Sequence, residues 1–366
     1  MPELPEVESA RSLIETHCKG ARIASLIIEE QGGGPRSGSF DDIVFDVKTG
    51  KNRDDFNSLE GSSLCDIKRQ GKQLWMELGD GASLTPSCSL LCHFGMTGSF
   101  VIKGEPVPQY KSFEVKNGEG DSDKDWPPKF TKMLLIFDNG KELAFCDPRR
   151  LGRIRIRSAD PREEEPISKL APDPTMWNKS VPPSFVAALQ GLRTNVKAAL
   201  LDQEKLVSGV GNWVADEVLY QCGIHPATKC EDLPAFKAVE LGQKLIDVCQ
   251  EACTCTCSRR KFPETWLFEY RWGKKKKNTV DQDFYGRSIT FETVGGRTSA
   301  IVQKVQKKTF GSSSAESAGS ATSSAYFKRE ENEGEAGTKK RKAPATKDTG
   351  KGKGKGKKSK VKKEAN

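Results

Sequence analysis

The chain has 366 residues, of which 35% are hydrophobic, and its 59 Lys and Arg against 50 Asp and Glu give a formal net charge of +9. No stretch approaches the roughly 18 apolar residues that a membrane-spanning helix needs, and the N-terminus lacks the basic and apolar blocks of a signal peptide. The eleven cysteines are scattered, unlike the dense framework of a small secreted domain. We therefore expect an intracellular protein with free thiols and no membrane partner.

The positive charge is concentrated at the C-terminal end. Residues 311–366 carry a net +8, which leaves +1 for residues 1–310. This tail is rich in Gly, Ser and Ala and holds too few large apolar residues to offset the entropy of ordering, which predicts disorder. Lys339–Lys342 fits a nuclear-import signal, and the Lys-Gly run from Lys351 fits a non-specific tether to DNA or chromatin. The alternative is a solvated tail that only aids solubility.

The first half of the chain has the pattern of a β-rich domain that follows one helix. The helix has Pro5 and Glu6 in its first turn, and its apolar residues at three- and four-residue spacing are Val7, Ala10, Leu13 and Ile14. Short β-rich runs separated by turn residues predict seven strands. The strands are Arg22–Ile28, Leu64–Arg69, Lys72–Leu78, Leu90–His93, Lys132–Phe137, Glu142–Cys146 and Arg153–Arg157. Residues 30–58 and 103–128 are polar and rich in Gly and Asp, so we expect long surface loops there.

The second half changes to helical spacing and ends in a hairpin. The predicted helices are Phe185–Leu189, Val196–Leu201, Trp213–Gln221 and Phe236–Cys249. Asn212 is well placed as the N-cap of the third helix, and Gly223 as its C-terminal cap. Two β-rich runs, Arg287–Val294 and Arg297–Val305, flank Gly295-Gly296 and predict the hairpin.

The N-terminus carries a candidate nucleophile. Removal of Met1 would expose Pro2 as a secondary amine, and an α-amino group is roughly 10 to 20% neutral at pH 7, against about 0.04% for an unperturbed Lys. Such an amine can attack a sugar C1′ and give an iminium ion. Glu3 could then exchange protons with the sugar and the leaving base. The alternative is a degradation-resistant start followed by Pro5 as a helix N1 residue.

Loops further along the chain have the composition of a nucleic-acid site. Two glycines before Asn212 can bring backbone N–H groups close to a phosphate, although helix-turn packing explains them equally well. Met96 and Arg149 lie in predicted strand-end turns and suit the filling of a stack that a flipped nucleotide has left. Arg297, at the hairpin tip, can clamp a phosphate. Each taken alone has a simpler interpretation, as a core Met or a solvated Arg.

Together these features resemble the formamidopyrimidine-DNA glycosylase family, in its zincless plant and fungal form. The motifs occur in the family's order and span residues 2 to about 307. The matching segments are Pro2–Glu8, Arg69–Lys72, His93–Gly98, Asp147–Arg150, Ser208–Glu217 and Gly295–Thr298. The resemblance implies an α+β protein with DNA in the cleft between an N-terminal β-sandwich with flanking helices and a helix-two-turn-helix domain.

The implied organisation has four parts. They are the catalytic β-sandwich domain over 1–158, the helix-two-turn-helix domain over 159–277, a zincless β-hairpin finger over 278–310 and the disordered basic tail over 311–366. We expect the protein to be a nuclear monomer that needs no cofactor and no metal.

The resemblance also implies roles for individual residues in excising oxidised purines from damaged double-stranded DNA and cleaving the strand by β,δ-elimination. Pro2 would be the Schiff-base nucleophile and Glu3 the acid and base. Lys72 would assist β-elimination, and Arg297 would hold the flipped nucleotide's phosphate and support δ-elimination. The expected DNA contacts are the phosphate-binding residues His93, Lys197, Gly211 and Asn212 and the void-filling residues Met96 and Arg149.

Three departures from the family pattern bear on this interpretation. Leu151 stands where a third void-filling residue is usually Phe. No cysteine follows Cys257, and the triplet Cys253, Cys255 and Cys257 lacks the paired spacing of a structural zinc site. Residues 262–278 do not show the bacterial base-capping loop, which disfavours 8-oxoguanine and leaves formamidopyrimidines as the expected substrates.

Two other functions fit the same residues. A non-catalytic binder of damaged DNA or chromatin would keep the cleft and the tail, but it has no need of Pro2 and Glu3. A member of the endonuclease VIII branch would prefer oxidised pyrimidines, whereas Leu4 favours the purine branch.

Overall fold

The computed structural model describes residues 2–80, 85–106, 126–273 and 281–310. The predicted tail and the centre of the second predicted loop, residues 107–125, lie outside the described residues. Among the helices of the described ranges, none is long and apolar enough to cross a membrane.

The N-terminal half is a β-sandwich preceded by helix α1, Leu4–Cys18. One antiparallel sheet has the order β1-β6-β7-β5 and the other β2-β3-β4-β8. The strands are β1 Ile23–Ile27, β2 Ser63–Gln70, β3 Gln73–Gly79, β4 Pro86–His93, β5 Ser99–Ile102, β6 Thr131–Phe137, β7 Glu142–Cys146 and β8 Arg153–Ser158. Apolar side chains at two-residue spacing from both sheets fill one core, among them Leu74, Met76, Leu78, Met133, Leu135, Leu143 and Phe145. The predicted α+β class and β-sandwich are therefore confirmed.

The structure corrects the predicted surface loop over 30–58. This segment contains helix α2, Arg53–Asn57, and it buries Val44, Phe45 and Phe56 in the sandwich core. The backbone N–H of Ile154 also donates to the carbonyl of Val44 at 2.7 Å. These few apolar residues have no regular spacing, so no periodic signal marked them as core. Strand β5 was likewise not predicted.

The C-terminal half is built from four helices. They are α3 Pro183–Gln190, α4 Val196–Leu201, α5 Asn212–Gln221 and α6 Ala235–Cys257. Helix α6 continues beyond the predicted end at Cys249, because the Thr and Cys residues of its last turns replace the regular apolar spacing without breaking the helix. Gly223 has φ +65°, and its N–H donates to the carbonyl of Tyr220 at 3.0 Å, which closes α5 as expected.

Helix α1 connects the two halves. The hydroxyl of Thr256, in the last turn of α6, donates to the carbonyl of Pro5 at 3.1 Å. This contact holds the start of α1 against the helical half, so the N-terminus of the chain lies where the sandwich and the helices meet.

The hairpin consists of β9, Thr290–Val294, and β10, Arg297–Ile301. Its turn residues Gly295 and Gly296 both have positive φ, +59° and +72°, as the two central residues of a type I′ turn require. The base of the hairpin is fixed by a buried ion pair between Arg287 Nε and Asp283 at 2.7 Å. The hydroxyl of Tyr220 donates to the same carboxylate at 3.0 Å.

Candidate active site at the N-terminus of helix α5

The carboxylate of Glu3 lies at the N-terminus of helix α5. One oxygen accepts the backbone N–H of Trp213 at 2.9 Å, and the other accepts that of Val214 at 3.0 Å. Because the first N–H groups of a helix have no partner within the helix and attract negative charge, this is a favourable position for a carboxylate. A side chain from the start of the chain therefore caps a helix that begins 209 residues later by number, at Asn212.

This geometry corrects the predicted N-cap. Gly211 is the N-cap residue of α5, and Asn212 is its first helical residue. A Cβ atom on Gly211 would lie 2.2 Å from Cδ of Glu3. Only glycine leaves room for the carboxylate, which takes over the capping function predicted for the Asn212 side chain.

The segment around Pro2 is fixed on both sides. The backbone N–H of Glu3 donates to Glu6 at 2.9 Å, and the second carboxylate oxygen of Glu6 accepts the indole N–H of Trp213 at 3.0 Å. The N–H of Leu4 donates to the carbonyl of Gly209 at 3.1 Å. Pro2 itself is buried. The residue that would be the nucleophile thus directly precedes a backbone segment that these contacts fix.

Lys72 reaches the same place from the turn between β2 and β3. Its ammonium donates to the carbonyl of Val210 at 2.7 Å, in the loop before α5. The turn is anchored by buried Asp173, which accepts the backbone N–H of Gly71 at 2.9 Å and a guanidinium N–H of Arg69 at 2.6 Å. These contacts fix the turn and so place the lysine near Glu3.

Burial and mutual charge shift the pKa values of this group. Burial raises the pKa of Glu3, against the opposing effects of Lys72 and the two backbone N–H groups. Burial and the neighbouring Glu3 carboxylate raise the pKa of Glu6 to about 7. Burial lowers the pKa of Lys72, although both carboxylates oppose that shift. Burial therefore disfavours the charged forms of Glu3 and Lys72, while their mutual attraction favours them, which suits two groups that exchange protons.

These residues line a cavity of about 390 Å³. The structure brings five of the predicted site residues to it: Glu3, Lys72, Met96, Asn212 and Arg297. Sequence reasoning missed the other lining residues, which are Glu6, Leu201, Gln203, Trp213, Phe268, Arg271 and Trp272. The high aromatic content of the segment from Phe262 to Trp272 is the sequence feature that could have indicated the unpredicted lining residues Phe268 and Trp272.

Asn212 and Arg297 lie on two elements that meet at the cavity. The side-chain amide of Asn212 donates to the carbonyl of Thr298 at 3.0 Å, which ties α5 to the hairpin. The Asn212 Oδ1 atom is buried without a hydrogen-bond partner. Arg297 is exposed, at the hairpin tip. The hairpin thus presents a cation at the cavity edge.

The loops that carry Met96 and Arg149 are joined by buried Asp147. Its carboxylate accepts the hydroxyl of Thr97 at 2.7 Å and the backbone N–H of Gly152 at 2.7 Å. Met96 is half-buried and Arg149 is exposed. Leu151 is 40% exposed on the same pair of loops. The three residues proposed for contacts with the DNA stack therefore lie on one connected surface.

The other five predicted site residues lie outside the set that lines the cavity; they are Pro2, His93, Arg149, Lys197 and Gly211. His93 is half-buried, and burial, with the nearby charges of Lys72 and Arg155, lowers its pKa to about 4. The ring is neutral at pH 7, so a phosphate contact would use an N–H group without a full charge. His93 Nδ1 accepts the backbone N–H of Gly95 at 3.3 Å.

Lys197 departs from its expected phosphate contact. Its side chain is fully buried, and its ammonium contacts Asp216 at 2.5 Å, Ser299 Oγ at 2.7 Å and the carbonyl of Thr298 at 3.2 Å. With all three protons directed at protein oxygens, Lys197 holds the hairpin against α4 and α5 in this arrangement.

The cysteine triplet lies on the last turns of α6. Cys253 is half-buried, Cys255 buried and Cys257 exposed. Burial raises the pKa of Cys255 to about 11, which disfavours the thiolate that metal binding requires. Within the described ranges, no group of three or more His, Cys, Asp or Glu side chains is arranged to hold a metal ion.

Comparison with known proteins agrees with the geometry. Residues 1–154 match the model of the formamidopyrimidine-DNA glycosylase N-terminal domain, and residues 170–262 match that of the formamidopyrimidine-DNA glycosylase H2TH domain. The formamidopyrimidine-DNA glycosylase of Arabidopsis thaliana is 37% identical over 308 residues, which cover 84% of this chain and 71% of the relative.

Two solved structures have the same fold. The Lactococcus lactis formamidopyrimidine-DNA glycosylase, bound non-covalently to DNA containing an AP site, superposes with a TM-score of 0.60 at 23% identity, covering 84% of this chain and all of that one. The MutM (Fpg) protein from Thermus thermophilus gives a TM-score of 0.57 at 25% identity, covering 83% and 98%. With both family domains matched in order and the Glu3 site at their junction, the chain belongs to the formamidopyrimidine-DNA glycosylase family.

Proposed function

We propose that this glycosylase is bifunctional: it excises oxidised purines, formamidopyrimidines first among them, and then cleaves the strand as an AP lyase in base excision repair. The observation that carries the proposal is the position of Glu3. Its carboxyl group is buried near Lys72, on the residue that directly follows Pro2, and lines a cavity of about 390 Å³, large enough to admit an extruded base.

The first step is attack by the Pro2 amine, once Met1 is removed. The nitrogen lone pair forms a bond to C1′ of the damaged nucleotide, and the glycosidic bond breaks with its electron pair going to the base. The proton that the amine loses passes to the departing base, which leaves neutral, and opening of the C1′–O4′ bond then gives an iminium ion. Glu3 supplies the proton that O4′ takes up, and burial raises the pKa of Glu3 in the direction that this step needs.

The second step cleaves the strand from the iminium ion. Removal of a C2′ proton expels the 3′ phosphate by β-elimination, and a second elimination expels the 5′ phosphate. Lys72, whose pKa burial lowers, is placed to take up a proton or to hold a phosphate. Arg297 lies at the edge of the same cavity and would neutralise the leaving phosphate.

Damaged double-stranded DNA is the proposed partner. The exposed cations Arg149, in the loop between β7 and β8, and Arg297, at the hairpin tip, would each meet a phosphate. The backbone N–H groups of Trp213 and Val214, which follow Gly211, donate to Glu3 instead, so Gly211 is not among the proposed phosphate contacts. The crystal structure of the Lactococcus lactis relative holds that protein on DNA with an AP site. We propose that this chain binds DNA likewise, as a monomer.

We also propose that the protein works in the nucleus, on the basis of the basic cluster Lys339–Lys342. Imaging of a fluorescent fusion tests this directly. Replacing the four basic residues by Ala should redistribute the fusion to the cytoplasm, and retention of the variant in the nucleus would contradict the proposal.

Borohydride trapping tests the reaction. Protein with Pro2 at its N-terminus, verified by intact mass, should form a covalent adduct with duplexes that contain formamidopyrimidine or an abasic site. A Pro2→Gly variant should still bind these duplexes but form markedly less adduct. If wild-type protein binds without forming an adduct, the chain is a binder and not an enzyme; a panel with oxidised pyrimidines tests the endonuclease VIII alternative.

A further inference from the structure

Trp272 has an unusual position among the apolar side chains of the described residues. It is 41% exposed, and it lines the same cavity as Glu3 and Lys72. The other large hydrophobic side chains with high exposure, such as Phe236 and Phe284, do not line this cavity. An exposed indole beside a catalytic centre is a surface on which a planar ring can stack.

The indole is held rigidly. Its N–H donates to the carbonyl of Phe268 at 2.6 Å, and the backbone N–H of Phe268 in turn donates to buried Glu217 at 2.8 Å. The rings of Phe268 and Trp272 meet edge to face, with centroids 5.6 Å apart. The Trp272 ring therefore has a fixed orientation before any ligand binds, which lowers the entropy cost of stacking.

Arg271 supports the same ring. Its guanidinium carbon lies 4.7 Å from the Trp272 ring centroid, and one guanidinium nitrogen contacts Asp216 at 2.6 Å. The Arg271 side chain is 7% exposed, and its Nε is buried without a hydrogen-bond partner. A cation over an aromatic face adds a favourable interaction and fixes the ring further.

The location of the chemistry indicates which group meets this ring. Pro2 and Glu3 act at the sugar C1′ under the proposed function, so the base attached to C1′ extends into the remainder of the cavity. Trp272 supplies the exposed aromatic surface there. A base that has left the duplex has lost its stacking partners, and an aromatic side chain replaces them.

We propose that Trp272 is a substrate-binding residue whose indole stacks on the extruded damaged base, with Arg271 and Phe268 holding the ring in place. This inference rests on the proposed function. Because every base has a π-face, Trp272 contributes affinity for the extruded base in general and leaves the choice of lesion to other groups.

Single-turnover kinetics on two substrates test the inference. Trp272→Ala should slow excision of formamidopyrimidine by about tenfold or more, as expected for the loss of one base-aromatic stack. Cleavage of a preformed abasic site, which has no base to stack, should stay within about twofold of wild type. Trp272→Phe should retain most of the excision rate. Phe236→Ala, which removes an exposed aromatic ring from α6 outside the cavity, is the matched control and should leave both rates unchanged.

A binding measurement separates stacking from a general loss of structure. A duplex with a 2′-fluoro formamidopyrimidine nucleotide resists cleavage and presents the base, whereas a tetrahydrofuran duplex presents none. Trp272→Ala should weaken binding to the first and not to the second. Equal losses on both duplexes, or no loss on either, would overturn the inference. If wild-type protein processes neither the damaged base nor the abasic site, the proposed function itself fails, which is a distinguishable result.

Discussion

The carboxylate of Glu3 accepts the backbone N–H of Trp213 at 2.9 Å, across a sequence separation of 210 residues. The bond joins the N-terminal segment to the first turn of α5, so the residue proposed as the acid is also a structural cap. The same contact therefore joins the two halves and places the Glu3 carboxyl group.

Glu3→Gln separates these two functions. The amide keeps one oxygen for a backbone N–H but cannot supply a proton, so we expect base excision to fall by about 100-fold or more. Because one backbone N–H of α5 then faces an amide N–H, stability should fall by about 1 to 3 kcal/mol. Single-turnover excision and urea unfolding measure the two effects. Excision close to the wild-type rate would exclude Glu3 as the acid.

Gly211→Ala tests the space that the carboxyl group needs. The new methyl group would lie 2.2 Å from Cδ of Glu3, so the carboxylate has to move away from the N-terminus of α5. We expect excision to fall by about 100-fold, the loss that a displacement of about 1 Å can cause.

Gly191→Ala is the control for this change. Its Cβ would meet neighbours no closer than 3.5 Å, and Gly191 has a negative φ of −76° that alanine adopts readily. Excision should remain unchanged. Equal loss in both variants would show that the Glu3–Gly211 contact is not the cause.

Glu6 makes the stability depend on pH. Burial and the Glu3 carboxylate raise its pKa in the folded protein from 4.5 to about 7. A raised pKa means that the folded state holds the proton more tightly, so the stabilisation is complete below about pH 4.5 and is lost as the pH rises to about 7. Glu6→Gln should remove this dependence, which amounts to about 3 kcal/mol.

Urea unfolding at pH 5 and pH 8 measures this effect. From pH 5 to pH 8, the free energy of unfolding of Glu6→Gln should rise relative to that of wild type. Burial also raises the pKa of Glu217 to about 7. The pH dependence of stability that Glu217 causes is the same in both proteins, so it cancels from the comparison. An identical change for wild type and Glu6→Gln would contradict the assignment.

Asp283 is expected to hold the hairpin in place. It is buried and accepts Arg287 Nε at 2.7 Å and the hydroxyl of Tyr220 at 3.0 Å. Asp283→Ala leaves Arg287 without its buried partner, so we expect a loss of about 3 to 5 kcal/mol. Hydrogen exchange should rise in β9 and β10, and excision should fall because Arg297 loses its fixed position.

Asp160→Ala is the matched control for a carboxylate paired with arginine. Asp160 contacts Arg162 at 2.6 Å, but both side chains are exposed, so the variant should lose about 1 kcal/mol or less. Similar losses in the two variants would mean that burial of the Asp283 pair does not matter.

Removal of residues 311–366 tests the basic tail. The truncated protein loses a net +8, so the slope of log binding constant against log salt concentration should flatten. Cleavage of a damaged duplex under saturating conditions should persist, because the described active site lies within residues 2–310. An unchanged slope would indicate that the tail does not tether the protein to DNA.

Residues that line the cavity could be predicted from the sequence better than the contacts that hold them in place. The motifs around Glu3, Lys72 and Arg297 are short and local, and the structure brings all three to one cavity. The sequence around Asn212 does not indicate that Glu3 caps α5, because the two segments are far apart in the chain. A local rule therefore assigned the cap to Asn212.

Burial of polar residues was equally hard to predict. Lys197 was predicted to contact a phosphate, but its ammonium group meets Asp216 and Ser299, which come from α5 and β10 and become its neighbours only in the folded chain. Trp272 and Arg271 follow the long helix α6 without a recognisable motif. Their place in the cavity depends on how that segment folds back onto α5, which no pattern of spacing encodes.

Asp147 has a consequence for how the enzyme would enter the duplex. Its carboxylate joins the Met96 loop to the loop of Arg149 and Leu151, and the second loop is anchored to the sandwich core by the paired contacts of Arg150 with Asp41 at 2.7 and 2.9 Å. The separation between Met96 and Arg149 is therefore set before DNA is met. If Met96 and Arg149 fill the stack as expected, both side chains would enter the duplex together.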